Sequence, residues 1–98
     1  MKKIFLVLSM VSLILLAENS KDGNNAIADG IDNVANGNDA VAVGNNNKAV
    51  GEKSVSIGIE NETNTSNSIA IGKKNKALGS TSIAIGLENK STGQESIA

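Results

Sequence analysis

The chain has 98 residues and a formal net charge of −1, and it contains no Cys, His, Trp, Tyr or Pro. Without Cys, neither disulfide bonds nor thiolate metal sites can hold the fold together, and without His or Cys the usual nucleophile–base pairs of enzymes are missing. The slightly acidic balance argues against nucleic acid or an anionic membrane surface as the partner.

Residues 1–17 have the three parts of a secretory signal. Lys2 and Lys3 precede an apolar run from Ile4 to Leu16, and the small residue Ala17 follows the run. The run is too short to span a bilayer comfortably, so we predict a signal peptide that is cleaved after Ala17. An uncleaved N-terminal anchor is the alternative. In both cases the protein is exported, and no membrane span is predicted in the rest of the chain.

The remainder of the sequence is built from a fourteen-residue repeat. Residues 18–25 are in register with its second half and are predicted to form a partial N-terminal coil. The roll itself is predicted over residues 26–98, because repeats of fixed length indicate a solenoid in which each repeat is one coil. The last copy stops after three residues, so we expect the chain to be a piece of a longer protein. The copies start at Ala26, Ala40, Ser54, Ser68, Ser82 and, cut short, Ser96.

The residue types at equivalent positions of the repeat predict a strand, a turn, a short second strand and a second turn. Positions two and four are Ile or Val, except at Asp29, while positions one and three are Ala or Ser. This alternation is typical of a β-strand, and the fold is therefore predicted to be all-β. Fourteen residues would also fit two heptads of a coiled coil, but two Gly per repeat and apolar residues two apart disfavour a helix.

Glycine and asparagine mark the turns. Position five is Gly and is predicted to need a positive φ or a close backbone approach. Position eight is Asn, which after Gly best tolerates the left-handed conformation and can hydrogen-bond the backbone of its own turn, so a left-handed turn residue with such a bond is predicted there. In the third copy Thr63 and Thr65 replace the usual Ala and Gly, so its second turn is expected to differ. The turn residues are Gly44, Gly58, Gly72, Gly86, Asn47, Asn61, Asn75 and Asn89.

Charged residues from Ala40 onward fall only at positions six, seven, nine, thirteen and fourteen, where a stacked coil leaves side chains in water. One basic cluster, in the fourth copy, is expected to lie beside glutamates of the neighbouring coils and to form a solvated face with cross-ladder pairing. Its lysines are Lys73, Lys74 and Lys76, and the glutamates are Glu60, Glu62 and Glu88.

A flat coil of two short strands has an inner and an outer face. Either the Ala and Ser side chains line the thin inside and the Ile and Val side chains meet another chain, or the reverse holds. In both arrangements one set of side chains needs a partner beyond its own coil. We therefore predict self-association with closed cyclic symmetry.

The repeated SIAIG at residues 68–72 and 82–86, with NKALG at residues 75–79, resembles the head repeat of trimeric autotransporter adhesins, the YadA-like group. The resemblance covers about residues 19–98. It implies a left-handed parallel β-roll in which three chains pack about one axis as a homotrimer. It also implies display at the outer membrane, on the cell surface of a Gram-negative bacterium.

In the best-known member of that group, the head binds collagen and other matrix proteins through copies of an NSVAIG-type motif. The closest copy in this chain is formed by Asn67, Ser68, Ile69, Ala70, Ile71 and Gly72. The resemblance makes this segment a candidate matrix-binding site, although the periodicity alone already explains these residues as builders of a strand.

Two functions follow from the resemblance. The first is an adhesin head that binds host extracellular matrix or a host cell receptor and promotes autoaggregation. The second is a passive spacer that holds another binding domain away from the cell. No enzyme, cofactor or metal is expected, because no acid, base or nucleophile stands apart from the repeat pattern.

Overall fold

The computed structural model describes residues 19–98, so the predicted signal peptide at residues 1–17 lies outside the described residues. Five long strands alternate with five two-residue strands along the chain. The long strands are β1 (Ile27–Ile31), β3 (Val41–Asn45), β5 (Val55–Ile59), β7 (Ile69–Lys73) and β9 (Ile83–Leu87). The short strands are β2 (Val34–Ala35), β4 (Lys48–Ala49), β6 (Glu62–Thr63), β8 (Lys76–Ala77) and β10 (Lys90–Ser91). In this part of the chain no helix is long and apolar enough to cross a membrane.

The strands form two parallel sheets, one of all the long strands and one of all the short strands. Each strand pairs with the strand fourteen residues away, so that Ile57 lies opposite Ile71 and Glu62 lies opposite Lys76. One repeat is therefore one coil, and neighbouring coils are separated by the usual strand spacing of about 4.8 Å. The predicted all-β solenoid with coils of fourteen residues is confirmed.

The space between the two sheets is filled by small side chains. Ala42, Ala49, Ala70, Ala77 and Ala84 are fully buried, as are the Ser side chains at the first position of three coils. Because Cβ atoms alternate across a strand, the Ile and Val side chains of the long strands point outward. Of the two arrangements left open by the sequence, the structure has the Ala and Ser side chains inside.

The third coil, residues 54–67, has a polar interior. Ser56 stands where the other coils have Ala, Thr63 stands where most of them have Ala, and both side chains are fully buried. The Ser56 hydroxyl donates to the Lys48 carbonyl oxygen at 2.7 Å and lies 3.1 Å from the Thr63 hydroxyl oxygen. These partners satisfy the buried hydroxyls. The coil thereby separates two clusters of buried alanines, one on each side of it.

The Gly at position five has both of the predicted properties. Gly58 has a φ of 125°, and a Cβ atom built on it would lie 2.0 Å from the carbonyl oxygen of Gly72 in the next coil. A side chain at this position would therefore strain the backbone and push two coils apart. The same contact recurs between Gly44 and Gly58.

The Asn at position eight hydrogen-bonds the backbone of its own turn, as Asn61 does to the Ile57 carbonyl oxygen, but the left-handed conformation expected for it was wrong. The non-glycine residues with left-handed backbone stand at position seven, directly before the Asn, and at position fourteen in the second turn, such as Glu60 (φ 55°), Lys74 (φ 57°) and Lys53 (φ 56°). Their N–H groups donate to carbonyl oxygens of the preceding coil, as Lys74 does to Ile59 at 2.9 Å. Stacking thus imposes a conformation that Lys and Glu do not favour by themselves. Asp32, Asp39 and Asn46, at these positions in the first two coils, were the available sequence signal.

Candidate functional site

The outward side of the long-strand sheet is a continuous apolar surface. It is formed by positions two and four of each coil, and we call it the apolar face. Most of these side chains are only half-buried, and Ile27 and Ile85 remain 53% and 54% exposed. A contiguous exposed surface of this kind marks an interaction site. Its members are Ile27, Val41, Val43, Val55, Ile57, Ile69, Ile71, Ile83 and Ile85.

Asp29 interrupts this face in the first complete coil. Its Cα pairs with that of Val43, so the carboxylate takes a place in the column that holds Val43, Ile57 and Ile71 in the following coils. Asp29 is exposed. The apolar face is therefore interrupted by one acidic position in the first complete coil.

The turn after each long strand is held by a ladder of buried asparagine side chains. The Asn61 side-chain amide donates to the Ile57 carbonyl oxygen of its own turn, at 2.8 Å. It donates also to the Gly72 carbonyl oxygen of the next coil at 2.8 Å and to the Asn47 Oδ1 of the preceding coil at 3.0 Å. The same pattern is repeated at Asn47 and Asn75. The ladder fixes the edge of the sheet that carries the apolar face.

The remaining surface, formed by the short strands and both turns, carries the charged side chains together with a few exposed apolar residues such as Val50 and Ile59. The outward position of the short strands places Lys48, Glu62 and Lys76 in one row, with Cα atoms in register. The structure also places the basic cluster of the fourth coil beside the glutamates of its neighbours, since Lys74 and Glu88 donate backbone hydrogen bonds to the coils before them. These charged side chains are exposed, apart from the half-buried Glu62.

The predicted matrix-binding segment has only part of its side chains on the surface. Ser68 and Ala70 are fully buried, and the Ser68 hydroxyl donates to the Thr65 carbonyl oxygen at 2.7 Å. Ile69 and Ile71 belong to the apolar face, and Asn67 is exposed in the second turn. In the single chain Asn67, Ile69 and Ile71 are therefore open to solvent, whereas Ser68 and Ala70 lie in the interior.

The described residues offer two kinds of surface to a partner. Within residues 19–98, no three His, Cys, Asp or Glu side chains are grouped so that they could hold a metal ion. The charged groups of this region lie on turns and outward strand positions rather than in a cleft. What the geometry can supply is therefore contact area, which is apolar on one side and charged on the other.

Comparison with known families agrees with this description. The family model described as the YadA head domain repeat (2 copies) matches residues 22–47, 49–75 and 77–98. No curated protein and no solved structure matches the chain. The matched family is a structural adhesin domain and not an enzyme family. The matched ranges cover most of the described coils, and the chain belongs to the family of YadA head domain repeats.

Proposed function

We propose that the chain forms the head of a trimeric surface adhesin of a Gram-negative bacterium. Three copies bury their apolar faces against one another about a common axis, and the assembled head attaches the cell to host matrix or host cells. The observation that carries this proposal is the uncovered apolar face, which runs through successive coils on a single side of the solenoid.

Energetics support a partner on this face. Complete burial of a Val or Ile side chain contributes about 1.5–3 kcal/mol, and each coil after the first presents two of these side chains on its outer side. The interior of the coil contains only Ala, Ser, Thr and Asn side chains, which provide little apolar area. The outer side chains therefore provide most of the apolar area that the molecule can still bury, and a second and third copy would shield them from water.

The mass of the full chain in solution tests the assembly. We expect a mass of three chains, and we expect the double variant Ile57→Lys/Ile71→Lys to lose it because it places charges in the centre of the apolar face. The matched control is Val50→Lys, which changes an exposed apolar residue outside this face and is expected to retain the mass of three chains. A wild-type mass of one chain, together with a β-type circular dichroism spectrum, would contradict the proposal.

Attachment is tested by binding of the full chain to immobilised collagen and other matrix proteins. Saturable binding that is lost on charge substitution at Asn67 supports an adhesin. A folded assembly that binds none of them supports the second candidate, the passive spacer. That candidate is favoured by the burial of Ser68 and Ala70, since a ligand would not touch these two members of the candidate binding segment.

A further inference from the structure

Among the coils that the structure describes, Asp29 is the only charged side chain in the two columns of the apolar face. Its Cα pairs with that of Val43, and its carbonyl oxygen accepts a hydrogen bond from the Asn33 side-chain amide at 2.8 Å. Asn61 forms the same bond with Ile57 two coils later. The main chain at Asp29 is therefore held as in the regular coils, and this position differs from theirs in its side chain alone.

The side chains that surround Asp29 on the described strands carry no charge of either sign. β1 and β3 belong to one sheet, and β2 packs against β1 from the other sheet. The exposed carboxylate therefore has no positive partner on these strands and is hydrated in the single chain. The other charged residues of the coil, Asp32 and Asp39, lie in its two turns. The uncharged residues are Ile27 and Ile31 of β1, Val41, Val43 and Asn45 of β3, and Val34 and Ala35 of β2.

Closed cyclic symmetry changes the surroundings of Asp29. In the proposed head, equivalent residues of the three copies lie at the same height about the axis. The two columns of the apolar face are two residues of a strand apart, or about 7 Å, so both columns border the axis when the faces meet. The three carboxylates then lie about one Debye length or less from one another, among Ile and Val side chains. Salt therefore screens their mutual repulsion only in part.

Ionised carboxylates are unfavourable in this position for two reasons. Each loses its hydrating water, and each faces two charges of the same sign. The neutral acid avoids both costs and can donate a hydrogen bond to a carboxyl oxygen of another copy. The closed first coil therefore binds more protons than the separate chains do. By linkage, the closed form becomes more stable as the pH falls and less stable as the pH rises.

We propose that Asp29 makes the contact between copies at the first complete coil depend on pH. At neutral pH the three carboxylates hold the apolar faces of this coil apart, while the later coils, which have Val or Ile in the same column, stay packed. When the pH falls and Asp29 is protonated, the contact extends to β1. The inference rests on the proposed function, since the carboxylates meet only if three copies share an axis.

The equilibrium constant for assembly of the full chain, obtained from the solution mass at decreasing protein concentration, tests the proposal. The reference variant is Asp29→Asn, which keeps the shape of the side chain but cannot ionise. From about pH 7 to about pH 4.5 we expect the constant to rise about tenfold or more in wild type relative to this variant. Tenfold corresponds to the uptake of one additional proton over one pH unit.

Two further variants show that the position of the carboxylate matters. Asp32→Asn removes an exposed carboxylate of the same coil that lies in the first turn, at a φ of 53° that Asn tolerates. It should retain the pH dependence of wild type. Asp29→Val completes the apolar column, and this variant should assemble most tightly at neutral pH and have the same weak pH dependence as Asp29→Asn. Circular dichroism shows that each variant is folded, and Asp29→Val replaces Asp29→Asn as the reference if the latter does not fold.

Amide hydrogen exchange of wild type and Asp29→Asn, compared at one neutral pH, locates the effect in the head. We expect the peptide that contains β1 to exchange more slowly in the variant, because the first coil closes. The peptide that contains β9 should exchange equally in both proteins. Faster exchange around β1 in the variant would mean that the substitution disturbs the coil, and it would overturn the proposal.

The outcomes separate this inference from the proposed function. A three-chain assembly whose pH dependence is the same in wild type and in Asp29→Asn would overturn the inference and leave the proposed function standing. A mass of one chain at every pH, in wild type and in Asp29→Val alike, would contradict the proposed function and the inference with it.

Discussion

The two turns of each coil both allow the next coil to stack closely, but they use different residues to do so. The turn after the long strand combines a positive-φ Gly with a buried Asn whose amide bridges three successive coils. The turn after the short strand has no such side chain inside it and depends on a Gly that lets the next coil approach closely. A Cβ atom on Gly51, for instance, would lie 2.0 Å from the carbonyl oxygen of Thr65.

The second turn tolerates change where the first does not. In the third coil Thr65 replaces the usual Gly, and its turn differs from the others, as expected from the sequence. In the second turn, the Ser54 N–H donates to the Gly51 carbonyl oxygen, and the Ser82 N–H donates to the Gly79 carbonyl oxygen. Within residues 19–98, the Ser68 N–H does not form the equivalent bond to Thr65. The Thr65 hydroxyl instead donates to the Gly79 carbonyl oxygen at 2.8 Å. The turn that contains the asparagine ladder thus keeps one geometry in every coil, and the turn without a ladder can adjust in single coils.

The largest effect is expected for Gly58→Ala in the first turn. The new methyl group would collide with the backbone of Gly72 and would occupy a φ that Ala strongly disfavours. We expect a loss of about 3 kcal/mol or more in the free energy of unfolding, measured by urea denaturation. Gly79→Ala in the second turn is the matched comparison: its methyl group would lie 2.3 Å from the Gly93 carbonyl oxygen, but the substitution should cost less because Gly79 has no positive φ and because Thr65 occupies the equivalent place one coil earlier. Equal losses would contradict the distinction between the turns.

Asn61→Ala should have the next largest effect. It removes the donor for two partly buried carbonyl oxygens and the buried partner of the Asn47 side chain. Buried groups left without partners cost about 1–3 kcal/mol each, so we expect a loss of about 2–4 kcal/mol. Asn89→Ala is the control, since Asn89 is only half-buried and its side-chain amide bonds only to Ile85. If both substitutions cost the same, the ladder is not cooperative along the coils.

The sequence could predict the strands, the coil length and the Gly and Asn turns, because the side chains that these features need recur at fixed spacing. It could not predict the left-handed residues of the later coils. Lys53, Glu60 and Lys74 have no preference for this conformation, and hydrogen bonds to the preceding coil impose it on them. The sequence also left open which face lies inside. The structure decides this because the narrow space between the two sheets accepts Ala and Ser but not Ile.

The same limit applies to the candidate binding segment. Periodicity correctly placed residues 67–72 on a strand and its preceding turn, but it could not tell buried members from exposed ones. That distinction depends on which alternate side chains of the strand point into the space between the two sheets. A ligand therefore cannot touch the buried Ser68 and Ala70, but it can touch the exposed Asn67.

A moderate gain in stability is expected for Thr81→Asn in the second turn. Thr81 has a φ of 56°, which is unfavourable for a β-branched residue, whereas Asn67 has a φ of 58° at the same place one coil earlier. Asn tolerates this conformation, so the free energy of unfolding should rise by about 1 kcal/mol. Ser80→Asn, one residue earlier, is the control and should change little. No gain at Thr81 would mean that the second turn relaxes the strain by itself.

The smallest effect is expected for Ser82→Ala, at the residue that follows the second turn. The hydroxyls of Ser54 and Ser68 donate to the carbonyl oxygens of Gly51 and Thr65, but the buried Ser82 hydroxyl has no partner. Its removal should raise the free energy of unfolding by about 0.5–1 kcal/mol, since an unsatisfied polar group leaves the interior. Ser54→Ala should lower it by about 1 kcal/mol, because a formed hydrogen bond is lost. Opposite signs at two equivalent positions would show that the second turn is adjusted coil by coil, while the asparagine ladder holds the first turn constant.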